Sequence, residues 1–372
     1  SGRPGLLLAG LLSLLVLYRL GTLGAELLAR PLFAWDAWMN WAPKAIVWFH
    51  EQRLVPFVDP RSWLAAAPDS GVFTLGNRQA SEYPPGVPII MLWHMLALGS
   101  TASSWVYLPW VLLPLALACA CAGALRSLGA SAAVAALGAY LLVSIPFLGM
   151  HSALAGYADL WLAAYFGLAV LALVHWQTTG QRSTLVLLCL LAAGAALVKV
   201  PGLAFAGIVI GLCLARLPGW SARTWYLLGA AAAVAGVLAF SLGLELTLPG
   251  GAALEISRER LTLPYLGTLE LGAHPLAPIL ARTFFVSANW HLFWPLLALA
   301  VVARSRRLGL AALADPLLQA LVLAGALLYF VFGFTDYFAQ AANLVTLNRT
   351  LLYLLVPGIL LVAGELAAWL RR

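Results

Sequence analysis

Eleven runs rich in Leu, Ala, Val and Gly occupy most of this chain, near residues 5–24, 86–99, 104–125, 130–148, 160–176, 184–198, 200–215, 224–246, 284–303, 316–334 and 350–370. Apolar runs of this length leave little choice of solvent. An ordinary soluble domain has roughly 25% charged residues, whereas here 63% of residues are hydrophobic and only 9% charged. A folded globule has too little interior to hide that surface. About 20 apolar residues in a helix cross a bilayer, and a helix satisfies its backbone N–H and C=O groups within itself where water is excluded. A β-barrel would instead alternate apolar and polar residues along strands of about ten, unlike these unbroken runs. The sequence predicts an all-α integral membrane protein.

The first run is long and is followed by no A-x-A-like cleavage site, so it reads as a membrane helix rather than a secretory signal. The second is short and opens with Pro84-Pro85-Gly86-Val87-Pro88. Its length suits an interfacial or re-entrant helix better than a span. If it does not cross and the N-terminus is cytoplasmic, the short loops holding Arg126, Arg182, Arg216, Arg223, Arg304, Arg306 and Arg307, with Arg371 and Arg372, all face the cytoplasm. That is the bias of the positive-inside rule. The same choice leaves twelve of the fourteen acidic residues outside, all but Asp315 and Glu365. About ten transmembrane helices are therefore expected, in one membrane domain covering 1–372. Its outer face gathers a first segment, 25–103, with juxtamembrane helices, a second, 247–283, and a third, 335–349. The net charge of +7 is scattered rather than clustered, so no nucleic-acid partner is expected. Cys119, Cys121, Cys189 and Cys213 all fall in apolar runs and read as small apolar residues rather than a disulfide or metal framework.

The charged residues at the ends of these runs carry the chemistry. The first outer segment contains Trp35-Asp36-Ala37-Trp38-Met39-Asn40-Trp41-Ala42-Pro43-Lys44 and, after an amphipathic stretch, Ser81-Glu82-Tyr83-Pro84-Pro85. Tryptophan and tyrosine collect at the headgroup level. An aspartate among them is either a solvated loop residue or a partly desolvated carboxylate with raised proton affinity, suited to general-base work. His151 ends the third crossing outside, and Asp159 heads the fourth. Lys199-Val200-Pro201-Gly202 interrupts two apolar runs on the same side, and Asn348-Arg349 opens the last helix there. Asp36, Glu82, Asp159, Lys199 and Arg349 are thus predicted to converge on one membrane face, and ionisable residues at membrane depth are functional by default. Each has a plainer alternative. Asp159 is a good helix cap, Lys199 and Arg349 can snorkel to the interface, and Glu82 can be solvated. His151 and His291 can be interfacial helix ends, and Glu255-Ile256-Ser257-Arg258-Glu259-Arg260 reads as a solvated amphipathic helix.

Taken together, Trp-Asp-Ala-Trp, Tyr-Pro-Pro, the Lys-x-x-Gly break and the final Arg-x-Leu-Leu helix resemble the membrane glycosyltransferases of the C superfamily. These include the protein O-mannosyltransferases and the lipid A aminoarabinose transferase. The resemblance covers nearly the whole chain through short motifs, and departs at Ser81-Glu82-Tyr83, where relatives often carry a His or Lys. It implies transfer of a sugar, with inversion, from a polyprenyl-phosphate carrier such as undecaprenyl phosphate to an acceptor hydroxyl on a glycan, lipid or protein. The site would face the periplasm or outside, and the enzyme would sit in a bacterial inner (plasma) membrane. Asp36 and Asp159 would be the catalytic carboxylates. Lys199 and Arg349, with Arg258 and Arg260 in reserve, would hold the donor phosphate. Trp35, Trp38, Lys44, Glu82, Tyr83 and His151 would line the substrate site. No cofactor is implied; Asp36, Asp159 and a histidine are of the types that bind a divalent metal, but no metal is predicted. The alternative from another class is a lipid-linked-sugar or small-solute transporter or flippase, which would place its charges near the midplane at paired broken helices. Within the transferases, a polymerase or ligase using a diphosphate-linked donor would lean on arginines of a late outer loop.

Overall fold

A computed structural model describes residues 2–217, 222–248, 253–264 and 267–371. It is mostly helical, and the helices follow the apolar runs. Helix α1 (Arg3–Ala29) leads through a π-helical turn (Ala37–Trp41) into α2 (Ala42–Glu51) and the short α3 (Pro60–Ala65). Then come α4 (Gly86–Leu98), α5 (Pro109–Ser127), α6 (Ala132–Ser144), α7 (Pro146–Ala153), α8 (Ala158–Thr179), α9 (Arg182–Val198), α10 (Gly202–Leu214) and α11 (Ala222–Leu242). After a small sheet follow α12 (Leu276–Ala281), α13 (Phe293–Leu308), α14 (Pro316–Phe334), α15 (Phe338–Ala342), α16 (Val345–Leu351) and α17 (Leu355–Trp369). Among the described residues, five helical segments are long and apolar enough to cross a membrane, or six if α6 and α7 are one span bent by 62°. The bend falls at Ile145-Pro146, where the ring removes a backbone donor and forces the preceding residue out of helix. The chain is an integral membrane protein.

Two groups of ionic contacts mark opposite ends of the bundle. At one end Lys199 and Arg349 meet Asp159. At the other Arg304 pairs with Asp315 and Glu365, and Arg307 with Glu365. Even the shorter helices connect these ends. α8 leaves Asp159, and α9 returns to Lys199. α10 then departs, and just beyond it Arg216 donates to the Ala314 carbonyl (3.0 Å) and to Gln319, beside Asp315. α13 runs to Arg304, α14 starts at Asp315, and α16 with α17 runs from Arg349 to Glu365. The short α4 behaves differently. Its first residue, Gly86, packs on the backbone of Leu197 beside Lys199. Just beyond its other end, Ser104 donates to the Arg30 carbonyl (3.0 Å) at the close of α1. Both ends of α4 therefore lie at the Asp159 end.

Close helix contacts need small residues. A Cβ on Gly86 would lie 2.5 Å from the Leu197 carbonyl oxygen, and one on Gly202 would lie 1.8 Å from that of Ala195. Gly202 thereby lets α10 fold back along α9 directly after the Lys-Val-Pro-Gly break.

The second outer segment departs from expectation. Glu255–Arg260 does not form an amphipathic helix; it is the turn of a hairpin in a four-stranded antiparallel sheet. The strands β1 (Leu244–Thr247), β2 (Ala253–Ile256), β3 (Arg260–Leu263) and β4 (Gly267–Glu270) follow in order. Glu255 faces Thr262 and Ile256 faces Leu261. The Ser257 N–H donates to the Arg260 carbonyl (2.8 Å), and the Arg260 N–H returns to the Ser257 hydroxyl (3.0 Å). This local side-chain bonding favours a turn over helix. The sheet is held to the end of α14 by Leu271, which bridges Thr335, and by the Asp336 N–H donating to the Glu270 carbonyl (3.0 Å). The run expected as a crossing from 284 is also interrupted. A turn at 289–292, with His291 at φ +47°, delays α13 to Phe293.

Candidate active site

Four separated segments supply one charged cluster. Asp36 stands at the start of the π-helical turn after α1, Asp159 in the first turn of α8, Lys199 between α9 and α10, and Arg349 in α16. The Arg349 guanidinium forks between two carboxylates. Its Nη2 donates to Asp36 Oδ2, while Nε (2.8 Å) and Nη2 (2.6 Å) reach Asp159 Oδ2. Asp159 Oδ1 accepts from Lys199 Nζ at 2.7 Å and from the Tyr353 hydroxyl at 2.6 Å. A planar guanidinium holds two acceptors in fixed geometry in a way an ammonium cannot. The cluster sums to zero formal charge, two carboxylates against two cations, as a water-poor site requires.

The two aspartates differ in exposure. The Asp159 side chain is 0% exposed, while that of Asp36 is 15% and that of Arg349 14%. Asp159 does not cap its helix, since no side-chain bond closes the α8 N-terminus. Arg349 does not snorkel; it lies between its partners and over the Tyr157 ring, 4.8 Å from the centroid. Lys199 is 22% exposed and turned to Asp159. Beside Asp36, the rings of Trp35 and Trp38 stand edge-on at 6.4 Å, about half exposed.

His151 is buried, with Nδ1 at 3.0 Å from the Phe147 carbonyl and Nε2 without a partner. The Nδ1 contact to a carbonyl requires the proton there, which leaves Nε2 as a free acceptor. Its ring lies 4.9 Å from that of Tyr157, the ring over which Arg349 is placed.

Lys44 is also buried, and Nζ donates to the carbonyls of Ser81 (3.1 Å) and Tyr83 (3.2 Å). Burial pushes its ammonium down to about 8. Lys44 thus ties α2 to the Tyr-Pro-Pro segment. Trp41 adds a stacked contact with Tyr83 at 5.3 Å between centroids, and burial pushes the Tyr83 phenol up. Glu82 is exposed. Arg258 and Arg260 lie on the hairpin, where Arg260 pairs with Glu255 at 3.8 Å; among the described residues, no ion pair joins them to the Asp159 cluster. Among the described residues, no group of three or more His, Cys, Asp or Glu is placed to hold a metal ion.

Two supporting residues were not singled out from the sequence as site residues. Tyr353 lies one helical turn beyond Arg349, the i,i+4 spacing that puts both on one face. Trp290 donates from Nε1 to Asn348 Oδ1 at 2.8 Å, which fixes the helix residue preceding Arg349 against the 289–292 turn. No protein-family model matches this chain, and neither a curated protein nor a solved structure matches it. The functional reading therefore stands on the residues themselves.

Proposed function

We propose that this protein is a membrane glycosyltransferase of the C-superfamily type. It would transfer a sugar from a polyprenyl phosphate to an acceptor hydroxyl at the membrane face that carries Asp36. The observation that carries this reading is the Arg349 fork: one guanidinium bridges a buried carboxylate and a partly exposed one, beside exposed aromatic rings. A transporter would be better served by charges at the midplane between paired broken helices; here the cluster sits at one end of the bundle. The helix connections support ten crossings, namely α1, α5, the bent α6–α7 pair, α8, α9, α10, α11, α13, α14 and α16–α17. α4 remains on the Asp36 side, and the short arginine loops occupy the cytoplasmic side.

The reaction follows from the different surroundings of the two aspartates. Both oxygens of Asp159 are already engaged, so it fixes Lys199 and Arg349 rather than accepting a proton. Asp36 has one partner and an open flank. A donor phosphate entering the cluster competes with Asp36 for Arg349 Nη2, which frees the carboxylate as the cation turns to the phosphate. The acceptor oxygen attacks the anomeric carbon while its proton passes to Asp36. The bond from that carbon to the phosphate oxygen breaks, and its electron pair leaves on the polyprenyl phosphate, with inversion. Arg349 and Lys199 offset the charge that develops there in a low-dielectric setting, and Trp35 and Trp38 offer apolar faces to the sugar or carrier.

The test is consumption of radiolabelled polyprenyl-phosphate sugars by membranes containing wild type or Asp36→Asn. Loss of a general base costs on the order of 10²–10⁴-fold, so one donor should be consumed by wild type and nearly spared by the variant, with donor binding retained. Equal consumption would remove Asp36 as the base. Movement of the intact donor across the membrane without sugar transfer would replace the transferase reading with a flippase.

A further inference from the structure

The opposite end of the bundle carries a second charged feature that the transfer reading does not use. A cavity of about 130 Å³ opens there between the ends of α5, α8, α13, α14 and α17. Its walls are mainly aliphatic, with Leu125, Leu317 and Leu361 among them, and its charged residues are Arg304, Arg307 and Arg371; no acidic side chain lines it. The carboxylates that neutralise Arg304 and Arg307, those of Asp315 and Glu365, are not among its lining residues. Arg371 has no carboxylate partner among the described residues; its Nη1 donates to the Leu128 carbonyl at 3.0 Å. Gly364 also lines the cavity, and a Cβ built on it meets nothing within 4 Å. The space is therefore not closed by packing around that helix.

We propose that this cavity holds the phosphate of an anionic phospholipid from the adjacent leaflet, with its acyl chain along the aliphatic wall. Basic pockets between transmembrane helices hold anionic headgroups because each nearby arginine strengthens the attraction, and Arg can grip phosphate through two parallel N–H donors. Only a ligand with both an anionic head and an apolar tail matches arginines set in an aliphatic wall. Glu365 and Arg349 lie on the same final helical segment, 16 residues and so about 24 Å apart at 1.5 Å per residue. A lipid here would brace α17 against α13 at the end remote from the candidate active site. The inference depends on the membrane setting and not on the transferase reading.

The full-length chain is reconstituted in phosphatidylcholine nanodiscs with or without phosphatidylglycerol, and retained lipid is read by native mass spectrometry after mild delipidation. Wild type should keep one phosphatidylglycerol and show a raised thermal midpoint in its presence. Gly364→Leu, which fills the cavity, should abolish both effects. Arg371→Gln removes one unpaired cation and should weaken retention by about fivefold. Equal retention by wild type and both variants would overturn the assignment, as would equal retention of phosphatidylcholine. Millimolar inorganic phosphate giving the same stabilisation in phosphatidylcholine alone would replace the lipid with a free anion.

Discussion

Asp36 and Asp159 share one arginine but differ in burial and in partners, and the separate roles proposed for them can be tested without any substrate. Asp159 is wholly buried and holds Lys199, Arg349 and the Tyr353 hydroxyl. Replacing it by Asn keeps the shape but leaves two cations without their buried counter-charge, a loss of about 3–5 kcal/mol for a broken buried pair. Asp36 is partly exposed, and without it Arg349 still has Asp159. Thermal or denaturant unfolding of the purified protein should therefore show a larger loss for Asp159→Asn than for Asp36→Asn. Equal losses would mean that the two carboxylates are structurally equivalent and would remove the basis for assigning them separate roles. The sequence exposed these residues because each stands at the end of an apolar run, where a charge is conspicuous. It could not show that Asp36 and Arg349, 313 positions apart, touch. Tyr353 escaped notice because a tyrosine inside an apolar run looks like any interfacial aromatic, and only its hydrogen bond sets it apart.

The short motifs acquire physical content at the level of elements. In Lys199-Val200-Pro201-Gly202, the proline ends one helix and the glycine allows the next to return against it, which holds Lys199 toward Asp159. The break was legible because Pro and Gly punctuate a helix directly. Gly202 also supplies a paired test within α10. Gly202→Ala forces a methyl group to within 1.8 Å of the Ala195 carbonyl oxygen, whereas Gly207→Ala enters open space. Overpacking of this kind costs about 1–3 kcal/mol or more, while alanine in a helix interior gains up to about 1 kcal/mol over glycine. Gly202→Ala should lower the unfolding midpoint and the donor consumption of the membranes; Gly207→Ala should leave activity intact and hold or raise the midpoint. The reverse order would show that α10 does not pack on α9 through Gly202. The hairpin at Glu255–Arg260 was read wrongly because Glu255, Arg258, Glu259 and Arg260 crowd into a stretch too short to separate a period of two from a helical period. The Ser257–Arg260 turn bonds decide it in favour of strands.

For the whole molecule, apolar runs were enough to establish a helical membrane protein, but run length alone did not determine which helices cross. α9, α10 and α13 are short for a bilayer of ordinary thickness, yet each leads from one ionic cluster toward the other. α4 is similar in length to α10, yet it begins beside Leu197 and is followed by Ser104 at Arg30. Position in the bundle, which depends on contacts between distant residues, separates them. The consequence can be read by labelling single cysteines with a membrane-impermeant maleimide after Cys119, Cys121, Cys189 and Cys213 are replaced by alanine. Asp69→Cys precedes α4, Ala102→Cys follows it, and Arg306→Cys lies in the arginine-rich last turn of α13; all three positions are exposed. If α4 stays on one side, the first two should label from the face of the membrane that carries Asp36, and the third only from the other. Labelling of Asp69→Cys and Arg306→Cys from one face, with Ala102→Cys labelled only from the other, would make α4 a crossing helix. It would invert every loop after it, place the arginine loops outside against the charge bias, and separate Asp36 from Asp159 across the bilayer. The Arg349 fork, and with it the proposed active site, could not exist in that arrangement, so one set of labelling rates tests the topology and the site together.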